Sequence, residues 1–381
     1  MYSDKTTDAN EQAKLNILDF MASNHKYDLD IARKEIEKSQ SSYFHDNYKT
    51  EKEHKLRSML NKCHILLLTA NWIERGILHC MLYKQKIPTI LSEEIAYYFF
   101  SWGKYRVVHV HQNDTGSFTQ GGSQEILEKV LSLFTPNLVL SIGVAFGIDP
   151  KNQQIGNVLV SKRVLPYDNG TKRKDDSIVI NNPQFVEIDA WLKCRFQYCQ
   201  PFLHQKGVLY GDIVTGGSVI SDPAVKDRIL TAFQKIPNAN IIGGEMEGAG
   251  VFKSCKNFGV SCVIVKGICD WGTMKNEILE DERENEVLKD CLQGYAMKQA
   301  IEACTILFDD ENLFTGLKNK QKRQKKETVL VGLLSFFIMN TMLLLLCQKP
   351  IAEISSLNIL IAVIVNGVVS LIFSTGIARL L

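Results

Sequence analysis

The stretch Gly243-Gly244-Glu245-Met246-Glu247-Gly248-Ala249-Gly250 decides how this chain is read. A short approach over 239–243 ends in a Glu-Met-Glu turn flanked by glycines, and small residues open a helix over 249–258 behind it. The apolar run from Val260 to Val265 then leads to Gly267-Ile268-Cys269-Asp270, which sets a further carboxylate at a strand end. Strand, turn, helix and strand in this order form a unit of an α/β sheet, and such sheets gather their ligands at strand ends.

The same alternation extends outward in both directions. Strands are predicted over 65–69, 105–111, 138–142, 157–164, 207–213, 239–243 and 261–268. Helices are predicted over 73–83, 123–134, 183–197, 223–235, 249–258 and 288–307. From His64 to Phe308 this is about 250 residues, enough to bury a full core. Residues 1–60 are rich in Lys, Glu, Gln and Ser and read as a helical extension with apolar knots at 17–21 and 31–36. The body proper is expected over 61–312, followed by a basic linker at 313–327.

Beyond the linker the composition changes. Residues 328–347 and 357–377 are apolar for 20 and 21 residues, and each would reach ~30 Å as a helix, the thickness of a bilayer core. Two such segments in tandem predict a transmembrane hairpin. The basic run 318–326 before it and Arg379 after it place both chain ends on the cytoplasmic side. The expected location is therefore a membrane, the bacterial inner membrane in particular, crossed by two helices.

The formal charge of +2 becomes −4 once the six basic residues of 318–326 are set aside. A mildly acidic body argues against nucleic acid as a partner, which calls for a basic face. The ten cysteines are scattered without a CxxC spacing, as expected of reduced, buried thiols. His109 and His111 share one face of a predicted strand, but no third ligand is in view, so no metal is expected.

Four further stations matter. They are Leu67-Leu68-Thr69-Ala70-Asn71-Trp72-Ile73-Glu74, the strand from Leu138 to Ile148 with Ser141-Ile142-Gly143-Val144-Ala145-Phe146-Gly147, Ile155-Gly156-Asn157-Val158-Leu159-Val160-Ser161, and Thr215-Gly216-Gly217-Ser218. With Glu245-Met246-Glu247 and Asp270 they follow in an order that resembles the nucleoside phosphorylase and nucleosidase superfamily. The nearest branch is that of the methylthioadenosine/S-adenosylhomocysteine nucleosidases. The resemblance implies an α/β fold: a three-layer α/β/α nucleoside-phosphorylase-like domain with a central mixed sheet, joined here to two C-terminal transmembrane helices.

It also implies a chemistry, purine nucleosidase action on the N-glycosidic bond of an adenine nucleoside or nucleotide. Asp270 would protonate the leaving base; an acid in an apolar strand holds its proton more tightly, which suits that task. Aspartate there, rather than asparagine, favours an adenine-type base. Glu247 would take the ribose hydroxyls, since a carboxylate is an acceptor for two donors at once, and Met246 would pack on the sugar. Glu74 would polarise the attacking water, and its charge would repel phosphate, although Arg75 stands beside it. The resemblance adds Glu245, Ser141, Gly143, Ser218 and Val219 as substrate-binding positions. Each acid also has a plainer reading: Glu247 and Glu74 as acids in the first turn of a helix, Asp270 as a helix N-cap.

The Gly/Ser-rich segment 112–123 and the basic residues Lys162, Arg163, Lys172, Arg173 and Lys174 could reach 5′-phosphates, or could be a connector and a solvated loop. No cofactor is expected. The expected partners are a small purine nucleoside or nucleotide, membrane lipid and other copies of the chain. An added membrane anchor suits a specialised role such as a bacterial antiphage effector. The alternatives are a phosphate-dependent purine nucleoside phosphorylase, or a ligand-sensing domain that controls a membrane pore.

Overall fold

The computed structural model describes residues 12–21, 34, 49–50, 53–82, 89–168, 170–172, 178–180, 186–205, 207–217, 220, 222–273, 282–309 and 313–314. The chain divides into two compact units, Met1–Leu313 and Phe314–Leu381. The expected membrane segments at 328–347 and 357–377, and the linker from 315 onward, lie outside the described residues. Among the described residues no helix is long and apolar enough to cross a membrane.

The helices are α1 (12–21), α2 (Glu53–Leu60), α3 (Trp72–Leu82), α4 (Ser123–Leu131), α5 (Ala190–Gln205), α6 (Pro223–Gln234), α7 (Gly248–Phe258) and α8 (Glu282–Phe308). The strands are β1 (Lys49–Thr50), β2 (Ile65–Thr69), β3 (Thr89–Ser92), β4 (Ile95–Trp102), β5 (Tyr105–His111), β6 (Leu138–Gly147), β7 (Val158–Pro166), β8 (Gly170–Lys172), β9 (Ile178–Ile180), β10 (Val186–Glu187), β11 (Val208–Thr215), β12 (Ile241–Glu245) and β13 (Cys262–Asp270). The fold is α/β with a mixed sheet, as the sequence predicts.

Two parts of the sheet behave differently. On one side β6 pairs with β2, β2 with β5, and these are parallel and buried, Ile65 to Leu68 being enclosed on both faces. A hairpin, β3–β4, extends this arm antiparallel to β5. On the other side the strands close on themselves. β6 pairs with β13, β13 with β7, β7 with β11, β11 with β12, and β12 returns to β6 at Gly243–Gly147 and Gly244–Phe146. This closed ring was not foreseen, and it lengthens β6 to Gly147, past the predicted end at 142.

The β3–β4 hairpin was also not predicted. Its two-residue turn is Glu93-Glu94, with φ of 48° and 67°. Two successive positive φ values are the signature of the tight hairpin turn, but asparagine and glycine, not glutamate, announce it in a sequence. The helix expected over 183–197 begins later, at Ala190, because Val186 and Glu187 pair with β7 instead. Helix α8 starts earlier than its first apolar residue, with Glu282 and Glu284 favourably placed in its first turn.

Helix α8 lies against β13 with little space between them. A methyl group added at Gly267 would stand 2.1 Å from the carbonyl oxygen of Ala296, so the glycine permits the contact. Its buried face includes Leu288, Leu292, Tyr295, Ala296 and Ala300. In the N-terminal extension, α1 buries Ala13, Ile17 and Phe20; Phe20 meets Tyr295 edge-on at 5.0 Å, and Asn16 Nδ2 donates to the Pro150 carbonyl at 2.9 Å.

Candidate active site

Glu74 is placed by the turn between β2 and α3. Asn71 Oδ1 accepts from the Glu74 amide at 2.9 Å, while Glu74 Oε2 reaches back to the amides of Ala70 at 2.6 Å and Asn71 at 3.2 Å. This reciprocal arrangement is a capping box, which satisfies the free amides at a helix start. The plain reading of Glu74 as a first-turn acid is therefore half correct; what it misses is burial, since Glu74 is only 1% exposed. Its other oxygen, Oε1, accepts from the amide of Val144 at 2.8 Å on β6. A Cβ at Gly143 would stand 2.1 Å from that oxygen, so the motif glycine on β6 makes room for the carboxylate.

Glu245, Met246 and Glu247 span the end of β12 and the entry to α7. Glu245 folds back on the helix start, taking the amides of Glu247 at 2.9 Å and Gly248 at 2.9 and 3.0 Å. Glu247 occupies the N-cap position of α7 but makes no capping bond there. Its Oε1 accepts instead from the Gly116 amide at 3.3 Å, and its Oε2 from Lys266 Nζ at 3.0 Å. Ser117 Oγ and Ser123 Oγ donate to the carbonyls of Met246 and Glu247 at 2.8 and 2.7 Å. The Gly/Ser-rich segment thus clasps the Met-Glu turn. Several of its amides serve protein acceptors, Gly121 donating to Glu125 Oε2 and Gly122 to the Thr119 carbonyl, and do not form a phosphate cradle.

Lys266 is the residue the sequence reading missed. It sits in β13, 1% exposed, 3.0 Å from Glu247, 3.9 Å from Glu74 and 4.0 Å from Glu245. Burial works against its ammonium, but Glu247, Glu74 and Glu245 outweigh that and hold its pKa above the ordinary lysine value. Burial pushes Glu74 upward, Lys266 pulling it back and Glu247 adding to the rise. Glu245 is pushed up to about 7 by burial and then by the Glu247 charge. At neutral pH this cluster holds less negative charge than three free carboxylates would. A signal was present in the sequence: a lone lysine inside the apolar run from Val260 to Cys269.

Asp270 closes β13 after a register irregularity between Ile268 and Asp270, which brings it opposite Phe146. Oδ1 accepts from the Gly272 amide at 2.7 Å, and Cys269 Sγ lies 3.3 Å from Oδ2. Asp270, Glu74, Glu245, Met246 and Glu247 line one cavity of about 300 Å³. Phe146, Ala145, Ile220, Tyr167, Asn71, Thr115, Gln293 and Lys289 complete much of its wall. Of the other expected positions, Ser141 is buried within β6 and Gly143 abuts Glu74; neither lines the cavity. Ser218 and Val219 lie outside the described residues.

Arg163 is buried and forks onto Asp212, with Nε to Oδ1 at 2.8 Å, so it is a structural ion pair rather than a phosphate ligand. Arg173 and Lys174 lie outside the described residues. His109 and His111 both contact Thr69 Oγ1, at 2.9 and 3.0 Å, and His79 Nε2 joins His109 Nδ1 at 3.1 Å. Among the described residues no group of three His, Cys, Asp or Glu side chains is placed to hold a metal ion.

Comparison with known proteins adds to this geometry. The family model described as "Phosphorylase superfamily" matches residues 86–299. The Death domain-containing ATP nucleosidase of Amphimedon queenslandica is 26% identical over 196 residues, 45% of this chain and 36% of that protein. The 5′-methylthioadenosine/S-adenosylhomocysteine nucleosidase of Marinomonas sp. (strain MWYL1) is 29% identical over 143 residues, 37% of this chain and 59% of that protein. The match thus spans between about a third and three-fifths of the length of these relatives. Among solved structures, S-adenosylhomocysteine nucleosidase from Streptococcus pyogenes in complex with 5-methylthiotubericidin superposes with a TM-score of 0.52 at 19% identity, covering 65% of this chain and 97% of the other. At that identity the likeness concerns the fold.

Proposed function

The chain belongs to the phosphorylase superfamily, and from that premise we propose that it is a purine nucleosidase, an N-glycosyl hydrolase that releases adenine from an adenine nucleoside or nucleotide. The observation that carries the reading is that Glu74, Glu245, Glu247 and Asp270 share one cavity, with Lys266 buried among the first three. Relatives named as ATP nucleosidase and as methylthioadenosine/S-adenosylhomocysteine nucleosidase support the reaction class.

In this reading the base lies between Phe146 and Asp270, and Asp270 delivers a proton to it as the bond to the sugar breaks. Glu247 accepts hydrogen bonds from the ribose hydroxyls and steadies the developing positive charge, as carboxylates do for oxocarbenium-like sugars. The Lys266 ammonium, 3.0 Å from Glu247 Oε2, holds that carboxylate in place for the purpose. Glu74 takes the proton of the attacking water; its burial raises its proton affinity, which strengthens it as a base. Met246 packs on the sugar. Glu245 rigidifies the turn that presents Glu247 through its bonds to the amides of Glu247 and Gly248.

The test is to follow free adenine from the full chain incubated with adenosine, methylthioadenosine, AMP and ATP, with and without inorganic phosphate. Hydrolysis without phosphate supports the reading; strict dependence on phosphate makes the protein a phosphorylase. Glu74→Gln and Asp270→Asn are each expected to lower kcat by ~10²-fold or more. The wider reading places this domain on the cytoplasmic side of a membrane, tethered by a helix pair at 328–347 and 357–377 and acting as a homo-oligomeric effector of antiphage defence. It rests on the two apolar segments and the basic run before them. Carbonate extraction that frees the full chain from membranes would refute the tether.

A further inference from the structure

The base and the ribose account for only part of the cavity wall. Beside Asp270, its register partner Phe146 joins Ala145, Cys269 and Ile220 in an apolar flank suited to a planar ring. Glu245, Met246 and Glu247 form another flank. The rest of the wall includes the polar Asn71, Thr115, Gln293 and Lys289, beside Glu74 and Tyr167. Lys289 and Gln293 are one turn apart on α8 and so share a face. Asn71 Nδ2 donates to Gln293 Oε1 at 3.3 Å, tying α8 to the turn that positions Glu74. That bond uses one of the two hydrogens of the Asn71 amide and neither of those of Gln293, so three remain to donate.

Lys289 is exposed at this part of the wall; its charge is felt by Asp290 of its own helix, but among the described residues it forms no salt bridge. An alkyl or thioether group at the 5′ position would gain from apolar walls. Here it would meet amides, a hydroxyl and an ammonium, and would strip water from them without return. A phosphate would gain what the thioether loses, because its oxygens accept charge-assisted bonds from an ammonium and ordinary ones from amides.

Resting on the nucleosidase reading, we propose that the substrate carries a 5′-phosphate and that Lys289 anchors it, with the Gln293 and Asn71 amides as additional donors. The natural substrate is then an adenine nucleotide rather than a nucleoside or a 5′-thioether. Lys289 sets the preference; the carboxylates that break the bond do not.

The experiment compares kcat/KM of the full chain for AMP, ATP, adenosine and methylthioadenosine, in wild type and in Lys289→Gln, Lys289→Glu and Lys289→Arg. In wild type the nucleotides are expected to be preferred. In Lys289→Gln the ratio of kcat/KM for AMP over adenosine is expected to fall about tenfold or more, the worth of one charge-assisted bond, mostly through KM. Lys289→Glu is expected to lower it further, and Lys289→Arg to restore most of it. A wild-type enzyme that prefers adenosine or methylthioadenosine overturns the inference and leaves the nucleosidase reading standing. A ratio unchanged in Lys289→Glu does the same. No free adenine from any of the four substrates sinks the nucleosidase reading and this inference with it.

Discussion

Two buried polar clusters stand along β2 and the start of α3, and they solve the cost of burial in opposite ways. In the first, Glu74, Glu245 and Glu247 surround Lys266, and charge is kept inside the protein by matching it. In the second, His109 and His111 meet at Thr69 and His79 joins through His109, contacts in which no carboxylate takes part. Burial and the nearby Arg75 push His79 and His111 down to about 3, so these rings remain neutral. Glu74 and Arg75, neighbours in sequence, belong to different clusters. Polar groups in a core can be paired as ions or held neutral, and only the paired cluster retains charges able to act on a substrate.

That contrast can be broken most directly at Lys266. Replacing it with methionine leaves three carboxylates together without their counter-ion, and a loss of about 3–5 kcal/mol in urea unfolding is expected, together with loss of adenine release. A variant as stable as wild type would mean that the carboxylates are neutral without the lysine, which would remove the contrast.

The pH response sharpens it. Glu245 has its folded pKa raised to about 7, so the stability it contributes is complete below the unfolded value of about 4.3 and is lost as pH rises through 7. His111 has its folded pKa lowered to about 3, so its contribution is present above about 6.5 and is lost as pH falls toward 3. The melting temperature of Glu245→Gln should therefore gain on wild type between pH 5 and 7.5. That of His111→Asn should gain on wild type between pH 6.5 and 4. Each change should be on the order of 5 °C for a domain of this size, read by scanning calorimetry. Parallel curves for either variant would show that its group does not titrate differently on folding.

The smallest effect concerns Asn71, which caps α3 and touches Gln293. Asn71→Ala is expected to cost about 1 kcal/mol in stability, the usual worth of an N-cap. A cost near zero would show that Glu74, through its own bonds to the Ala70 and residue 71 amides, suffices to hold the turn.

Much of this was legible in the chain, and the exceptions have physical causes. The strands β2 and β5 match their predicted limits because each is a β-branched or leucine-rich run bounded by turn residues. The acids Glu74, Glu247 and Asp270 meet in one cavity because each stands at the end of a strand or in the first turn of a helix, positions that motifs can mark. Lys266 escaped notice because its role depends on three residues brought together by tertiary pairing, and nothing in its neighbours shows them. The closed strand ring escaped for a similar reason, since β12 meets β6 across a distance of about a hundred residues. The β3–β4 hairpin hid behind a turn built from glutamates.

The ends of the large sheet carry a consequence for how copies of this molecule meet in solution. A sheet margin offers unpaired backbone donors and acceptors to any passing strand, a common route to fibres. Among the described residues the closed ring leaves no margin among its own members, and the open path terminates at β1 and β10, each described over only two residues. Such short margins give an incoming strand little to zip against, so crowding many copies together carries less danger of runaway cross-strand growth.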